Sequence, residues 1–187
     1  MACGRAILPS MSLRSLLPIA PLANDHVTLR RPRAGDAETI ARYIGDEGAQ
    51  AWLSGSENAH LLYSEYAAGW NAPDDRARLG LTLIVTRSGD DTLVGVVHLE
   101  PSDGVLHVGY GVAPDHRRLG IASEALALCS AWAIEHGFNR VELEIGEDNQ
   151  ASQAVARRCD FKPTSRTRTQ ALPDGGEWHA RAWCLER

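Results

Sequence analysis

The sequence contains few cysteines, and their spacing argues against two classes of protein. Cys3, Cys129, Cys159 and Cys184 are its four cysteines, and no two of them form a Cys-x-x-Cys pair. The spacing of a zinc site is therefore absent, and a chain of 187 residues needs no disulfide framework. We expect reduced thiols that pack as small hydrophobic side chains rather than nucleophiles, and we expect no metal.

The sequence also lacks any apolar run near the roughly 20 residues needed to cross a bilayer. Residues 1–20 superficially resemble a signal peptide, but prolines interrupt the apolar stretch 16–22 and no small-residue cleavage site follows. We expect residues 1–25 to be a disordered leader or a mis-assigned start, with Met11 as the alternative start. Residues 26–187 are then a single domain of a soluble, cytoplasmic protein.

Positive charge is not in excess, since 19 Lys and Arg face 24 Asp and Glu, for a net charge of −5. This balance argues against a general nucleic-acid binder, whose affinity depends on cations that neutralise phosphates. The apolar fraction of 44% and the charged fraction of 23% are those of a globular protein and exclude wholesale disorder. No internal repeat or low-complexity tract is present.

Hydrophobic periodicity predicts an alternation of strands and helices. Strands are expected at 26–31, 81–86, 92–99, 105–112, 141–145, from 161 onward and at 178–185. Helices are expected at 36–44, 61–70, 120–136 and 149–159. The order β-α-α-β-β-β-α-β-α-β-β predicts an α+β fold with a mostly antiparallel mixed sheet flanked by helices.

Three local details follow from the same patterns. Tight turns at 88–91 and 101–104 join three strands into an antiparallel meander. Asn149 is placed to cap the helix that follows it, and Gly137 to end the helix before it. On the strand 141–145, alternation predicts that Glu142 and Glu144 both point outward.

The loop between the strand at 105–112 and the next helix is typical of a diphosphate site. A helix N-terminus offers unpaired N–H groups and the positive end of a dipole. Gly120 allows close approach to the backbone, Ala122 keeps the first turn uncrowded, and Arg117 and Arg118 add positive charge. The loop is not a P-loop, because no Gly-Lys-Ser/Thr follows, and it lacks the glycine triplet of a dinucleotide fingerprint.

Arg117-x-x-Gly120-x-Ala122 resembles the Q/R-x-x-G-x-G/A signature of the GNAT superfamily of N-acetyltransferases, a three-layer α/β fold. The wider stretch 110–161 resembles the branch that acetylates the N-termini of ribosomal proteins. It has Tyr-x-Val on the strand, Gly-Ile-Ala-x-Glu-Ala on the helix and then Asn149-x-x-Ser152. The likeness covers about 27–185. It departs from the branch at Asp160-Phe161, where Gly-Phe is usual, and in the final strand, which lacks an obvious acidic residue.

The resemblance implies acetyl-CoA as cosubstrate and a role for each matching residue. The strand that ends at Val112 splays from its neighbour, and the Val112 N–H polarises the thioester carbonyl. Asn149 contacts pantetheine, and Ser152 protonates the departing thiolate. The pyrophosphate contacts, mostly through backbone N–H groups, are Arg117, Arg118, Leu119, Gly120, Ile121 and Ala122.

The base that deprotonates the amine is not fixed by the resemblance. Glu100 is the first candidate, and His98 shares its face of the strand. Tyr110 and His107 are the other candidates, and each of the four also has an ordinary structural role as an alternative. In the family, the segment that holds Trp52, Tyr63, Tyr66 and Trp70 covers the acceptor site; the aromatics there could equally pack in the core.

Three functions stay open at this point. The first is N-acetylation of a protein N-terminal α-amine by a monomer or homodimer. The second is acetylation of a small amine such as an antibiotic or a polyamine. The third is a CoA-binding sensor without turnover, which would keep the loop 117–122 but lack a working acid and base. Acceptor loops vary on a shared fold, so the residues do not separate these functions.

Overall fold

The computed structural model describes residues 21–33, 36, 81–171 and 175–186. The helices expected at 36–44 and 61–70 lie outside the described residues, apart from Asp36. The candidate acceptor-site aromatics Trp52, Tyr63, Tyr66 and Trp70 lie outside them as well.

The described residues form one eight-stranded sheet with two helices. The strands are β1 (Leu22–Ala23), β2 (Val27–Arg30), β3 (Leu81–Arg87), β4 (Asp90–Ser102), β5 (Val105–Val112), β6 (Arg140–Gly146), β7 (Lys162–Ala171) and β8 (Glu177–Glu186). The helices are α1 (Ile121–Glu135) and α2 (Gln150–Arg158), and a short 3-10 helix spans Pro114–His116. The spatial order is β1-β2-β3-β4-β5-β6-β8-β7, and within it β5 and β6 pair in parallel whereas the other neighbours pair antiparallel. The expected mostly antiparallel mixed sheet is confirmed.

The described sheet includes residues ahead of the expected first strand, because β1 belongs to it. Leu22 pairs with Leu29, and Ala23 pairs with Thr28. Asn24 closes the turn: its side-chain oxygen accepts hydrogen bonds from the N–H groups of His26 and Val27. Leu22 and Ala23 thus pair in the sheet ahead of the boundary expected at about residue 25, and a two-residue strand is too short to show a period in the sequence.

The face of the sheet that carries α1 and α2 holds the main core. Val97 and Leu99 of β4 lie in one buried cluster with Leu106 and Val108 of β5. Their partners are the buried side of α1 together with Ala156 of α2. Because side chains alternate along a strand, the residues between them, such as His98 and Gly109, lie on the opposite face.

Glu142 does not point outward to solvent as expected. Its exposed fraction is 3%, whereas Glu144 on the same face of β6 is exposed as predicted. Arg140 Nε lies 2.8 Å from Glu142 Oε1, and the Arg166 guanidinium of β7 contacts Oε2. Glu142 and Glu144 do share one face of β6, as alternation predicts. Arg166 from β7 nevertheless covers the Glu142 carboxylate, and a carboxylate buried in this way needs a paired positive charge.

The helix ends follow their sequence signals. Gly137 adopts a left-handed conformation (φ 90°) directly after α1, and Asn149 caps α2 with its side-chain oxygen. Within the described ranges, no helix is both long and apolar enough to cross a membrane.

Candidate active site

A fork between β5 and β6 is the main feature of the site. The two strands pair only over Val105–His107 of β5 and Arg140–Glu142 of β6. Beyond this point β6 continues to pair with β8 as far as Gly146, and β5 continues to pair with β4 as far as Val112. The facing edges of Val108–Val112 and Leu143–Gly146 therefore diverge, which leaves room for an extended ligand between them.

The backbone of β5 presents its hydrogen-bonding groups to this fork. The Ala113 N–H points toward β4 and donates a hydrogen bond to the Val94 carbonyl at 2.9 Å. Successive residues alternate in direction, so the N–H and C=O of Val112 point away from β4 and toward the fork. The Val112 carbonyl accepts a hydrogen bond from Arg117 Nε at 3.1 Å, as this direction requires.

The N-terminus of α1 lies directly beyond the open end of β5. Gly120 precedes the helix in the left-handed conformation (φ 81°) and makes no side-chain cap hydrogen bond. Ile121 and Ala122 lie in the first turn of α1, where helix geometry gives a backbone N–H no carbonyl partner within the helix. Their N–H groups are therefore available to an anion. A Cβ placed on Gly120 would meet no atom within 4 Å, so the space above it is open.

The other loop residues frame this helix end. Arg117, Arg118 and Leu119 are exposed, and Leu119 is 61% exposed. Arg118 takes a left-handed conformation (φ 64°), which turns the chain into Gly120. The predicted phosphate-contacting residues thus share one loop at the mouth of the fork.

Asn149, Ser152 and Tyr110 meet on the helix-bearing face. The Asn149 side-chain oxygen accepts a hydrogen bond from the Ser152 N–H at 3.0 Å. The Tyr110 hydroxyl donates to the Ser152 carbonyl at 3.2 Å. Tyr110 and Ser152 are each 8% exposed. The structure therefore brings Tyr110 together with Asn149 and Ser152, although Tyr110 and Ser152 lie 42 positions apart in the sequence.

Burial raises the pKa of the Tyr110 hydroxyl to about 12, although its hydrogen bond to Ser152 acts in the opposite direction. Tyr110 consequently keeps its proton at neutral pH. A hydroxyl that keeps its proton is a poor base at pH 7, and the Tyr110 hydroxyl hydrogen-bonds to the backbone of α2. The geometry favours Tyr110 as a residue that fixes α2 against β5.

On the sheet face opposite the helices, two glycines of β5 line the fork, and we call them the glycine floor. Gly109 and Gly111 of β5 carry no side chains there and lie beside His98 and Val96 of β4 in the strand register. Glu100, two residues from His98 on the same face, is exposed. The structure thus places Glu100 and His98 beside an uncrowded stretch of the β5 backbone.

His107 marks the closed end of the fork. It pairs with Glu142 in the last parallel rung, and its Nδ1 lies 3.6 Å from Glu142 Oε2. This contact places His107 in the charge cluster of Glu142 with Arg140 and Arg166. The position favours a structural role for His107.

Gly95 is a site residue that sequence reasoning missed. A Cβ at this position would lie 2.5 Å from the Gly111 carbonyl oxygen and 3.4 Å from the Val112 Cα. The absence of a side chain lets β4 approach the end of β5, and so sets where Val112 lies. The available signal was a glycine inside a strand pattern, which often marks a close backbone approach.

Cysteine and metal-ligating residues play no evident part in the described region. Cys129 is buried, and burial raises its pKa to about 12, so it is an inert thiol at neutral pH. Cys159 and Cys184 are half-buried and also free. Among the described residues, no group of three or more His, Cys, Asp or Glu is arranged to hold a metal ion.

Comparison with known proteins gives this geometry a family. The sequence model of one protein family, described as the acetyltransferase (GNAT) domain, matches residues 26–162. No curated protein sequence matches the chain.

Solved structures share the fold. A chain assigned as a ribosomal-protein-serine acetyltransferase from Vibrio cholerae superposes with a TM-score of 0.71 at 22% identity, covering 91% of this chain and 99% of that one. An acetyltransferase from Salmonella typhimurium that modifies the N-terminal serine of ribosomal protein L7/L12 gives 0.68 at 18% identity, over 90% and 99%. The microcin C7 self-immunity acetyltransferase MccE, solved with acetyl-CoA and AMP, gives 0.66 at 18%, over 88% and 94%.

Proposed function

The chain belongs to the GNAT family of acetyltransferases, and from that premise we propose that it transfers an acetyl group from acetyl-CoA to a protein N-terminal α-amine. One observation carries the donor half of this proposal. The fork between β5 and β6 opens directly onto the N-terminus of α1, which no side chain caps. A diphosphate at the helix end and an acyl-carrying arm in the fork would use both features together.

The donor is held mainly by the backbone. The N–H groups of Ile121 and Ala122 bind the diphosphate, and Arg117 and Arg118 add charge from the same loop. Gly120 and Leu119 complete the loop, and Gly120 lets the phosphates approach closely. The Val112 N–H, which points into the fork, donates to the thioester carbonyl and stabilises negative charge on its oxygen during attack.

Acyl transfer requires that the thiolate leave with a proton. Ser152 lies in the first turn of α2 on the helix-bearing face, where its N–H is held by Asn149 and its carbonyl by Tyr110. We assign the Ser152 hydroxyl as the proton donor to the thiolate, with the Asn149 side chain as a contact for the arm. The hydroxyl is a weak acid, and the N-terminus of α2 favours the negative charge that develops beside it.

Glu100 serves the acceptor side. Its exposed carboxylate lies on the glycine-floored face and attracts the positively charged ammonium form of an amine. Peptide α-amines have a pKa near 8, whereas lysyl amines have one above 10. An α-amine is therefore partly deprotonated at neutral pH and needs only mild assistance. The neighbours that act on ribosomal proteins point to the same acceptor class.

A panel of acceptors tests this function. The purified chain is incubated with acetyl-CoA and with peptides that carry free or blocked N-termini, polyamines and aminoglycosides, while released thiol is measured. We expect release with free-N-terminus peptides and none with their blocked counterparts. Release with small amines alone would move the assignment to a small-molecule acetyltransferase.

A binding measurement on the same samples separates the remaining alternative. We expect acetyl-CoA to raise the melting temperature of the chain. A shift without thiol release from any acceptor would identify a CoA-binding sensor. Absence of any shift would contradict the donor site itself.

A further inference from the structure

The surroundings of His98 suggest a chemical role beyond the binding of donor and acceptor. His98 lies on the face of β4 opposite the two helices, and its cross-strand partner on β5 is Gly109. At this position β5 therefore presents no side chain to the imidazole. Val108, where β5 parts from β6, follows the last parallel rung directly, so His98 lies beside the inner part of the fork.

One ring nitrogen of His98 has a fixed partner. The Nδ1 atom lies 3.2 Å from the Thr82 hydroxyl oxygen of β3, and Thr82 is 4% exposed. A threonine hydroxyl can accept a hydrogen bond from Nδ1–H both when the ring is neutral and when it is protonated. If Nδ1 carries the proton, the lone pair of the neutral ring resides on Nε2.

The inference rests on the proposed function: we propose that Nε2 of His98 accepts the proton from the attacking amine, directly or through one water, and that Thr82 positions the ring by accepting from Nδ1–H. The amine nitrogen forms its bond to the thioester carbonyl carbon and transfers one proton to His98. The carbon–sulfur bond breaks, and the thiolate takes the proton of the Ser152 hydroxyl, which regains one from solvent. His98 then returns its proton to solvent.

The two proton transfers occur on opposite faces of the sheet. Ser152 and Tyr110 lie on the face that carries the helices, whereas His98 and the glycine floor lie on the other. An amine that approaches over Gly109 and Gly111 meets the carbonyl from the His98 face. The departing thiolate is then protonated from the face that holds Ser152. The acid and the base therefore occupy different positions.

The charges around His98 suit a base that works at neutral pH. Burial lowers the pKa of the imidazole, and the charge of Glu100 partly opposes this effect. Among the described residues of β3, β4 and β5 on this face, the titratable neighbours are Glu100 and His107. The ring is consequently neutral at pH 7 and able to accept a proton, and the adjacent carboxylate stabilises the imidazolium once it forms.

Kinetics of the full-length chain with the best acceptor test the proposal. We expect His98→Gln to lower kcat at pH 7.5 by about a hundredfold while the KM for acetyl-CoA changes less than about threefold. Thr82→Val should lower kcat about tenfold because the nearly isosteric side chain cannot hold Nδ1–H, and Thr82→Ser should restore it. Glu100→Gln should mainly raise the KM for the amine. A kcat in His98→Gln within about threefold of the wild type, or a larger kcat loss in Glu100→Gln, would overturn the proposal.

The tautomer of His98 provides a readout that does not depend on turnover. Nitrogen-15 NMR of the labelled chain at pH 7.5 should show His98 neutral with the proton on Nδ1, its signals being identified by their loss in His98→Gln. A neutral ring protonated on Nε2, or an imidazolium at this pH, would overturn the assignment. Absence of thiol release in the wild type would instead defeat the proposed function, whereas release that survives His98→Gln defeats only the role of His98.

Discussion

The Tyr110 hydroxyl donates a hydrogen bond to the Ser152 carbonyl across 3.2 Å and so connects β5 to the first turn of α2. This bond joins the strand that lines one side of the fork to the helix that carries the proposed acid. Because both residues are buried, the bond is shielded from competing water. The relative position of Val112 and Ser152 depends on it.

We expect Tyr110→Phe to lower the free energy of unfolding by about 1–2 kcal/mol at pH 7, because it leaves the Ser152 carbonyl without this donor. A second effect appears at high pH. Folding raises the pKa of Tyr110 from 10.0 to about 12, so between these values the unfolded chain has released a proton that the folded chain retains. Stability that is fully present below pH 10 is therefore lost as the pH rises toward 12.

Urea unfolding of wild type and Tyr110→Phe from pH 7 to pH 11 checks both effects. The difference between the two proteins should shrink above pH 10, since the phenylalanine variant has no phenol to ionise. A constant difference over this range would contradict the assigned pKa.

Gly120→Asp should weaken the binding of acetyl-CoA by more than about a hundredfold, because it places a carboxylate where the diphosphate must lie. Gly120→Asn is the matched control. Asparagine has nearly the same size and tolerates the left-handed conformation, but it carries no charge. Isothermal titration of both variants should show a clearly larger loss for aspartate. Equal losses would mean that bulk rather than charge decides, and unchanged affinity in both would refute the loop assignment.

Ser152→Ala should lower kcat about tenfold or more and leave the dissociation constant for acetyl-CoA within about twofold, since the hydroxyl acts after binding. Equal loss of turnover and affinity would reduce Ser152 to a binding residue.

Asn149→Asp separates the cap from the ligand contact. A carboxylate still accepts from the Ser152 N–H, so stability should hold, while the amide donors that could reach the pantetheine arm are removed.

Gly95→Ala should destabilise the fold by about 1–3 kcal/mol, because the new methyl group would collide with the Gly111 carbonyl. The same collision shifts the end of β5, so the affinity for acetyl-CoA should also fall. Gly89→Asn is the control. Gly89 lies in the turn between β3 and β4 with φ 80°, and a Cβ placed there would meet no atom within 4 Å. There we expect a change within about 0.5 kcal/mol, measured by denaturant unfolding.

Glu142→Gln should lower the free energy of unfolding by about 2 kcal/mol and raise the KM for acetyl-CoA. Its carboxylate is buried among Arg140, Arg166 and His107 at the closed end of the fork, and neutralising it leaves the two guanidinium groups of Arg140 and Arg166 uncompensated. Glu144→Gln provides the comparison on the same strand and face. Its partner Arg168 is largely exposed, so the expected change is within about 0.5 kcal/mol. Similar effects from the two variants would contradict the special role of Glu142.

Most of the described strands, both described helices and the loop proposed to bind phosphates could be predicted because each depends on local sequence. The stripes of α1, the turns of the meander and the cap at Asn149 all depend on residues a few positions apart. The loop 117–122 was visible for the same reason, since its glycine, arginines and helix start are contiguous.

The remaining features depend on distant residues. The burial of Glu142 requires an arginine 24 positions later, on a strand that is not adjacent to β6 in the sheet. The contact between Thr82 and His98 requires the register of β3 against β4, which periodicity does not specify. Likewise, β1 is visible only through its pairing with β2. Sequence patterns thus predict the proposed donor loop but not the long-range charges and contacts around the fork.

The short parallel pairing between β5 and β6 divides the ladder of the sheet into two parts. One comprises β1 to β5 and the other β6, β8 and β7, and three residue pairs join them along the sheet. A ligand arm that hydrogen-bonds to both free edges would extend this seam and act as a replaceable strand. Occupancy of the fork should then stiffen the joint between the halves, and hydrogen exchange at Val112 and Leu143 should slow more than exchange at the outer strands. The proposed cosubstrate would then serve as the strand that the sheet lacks between β5 and β6.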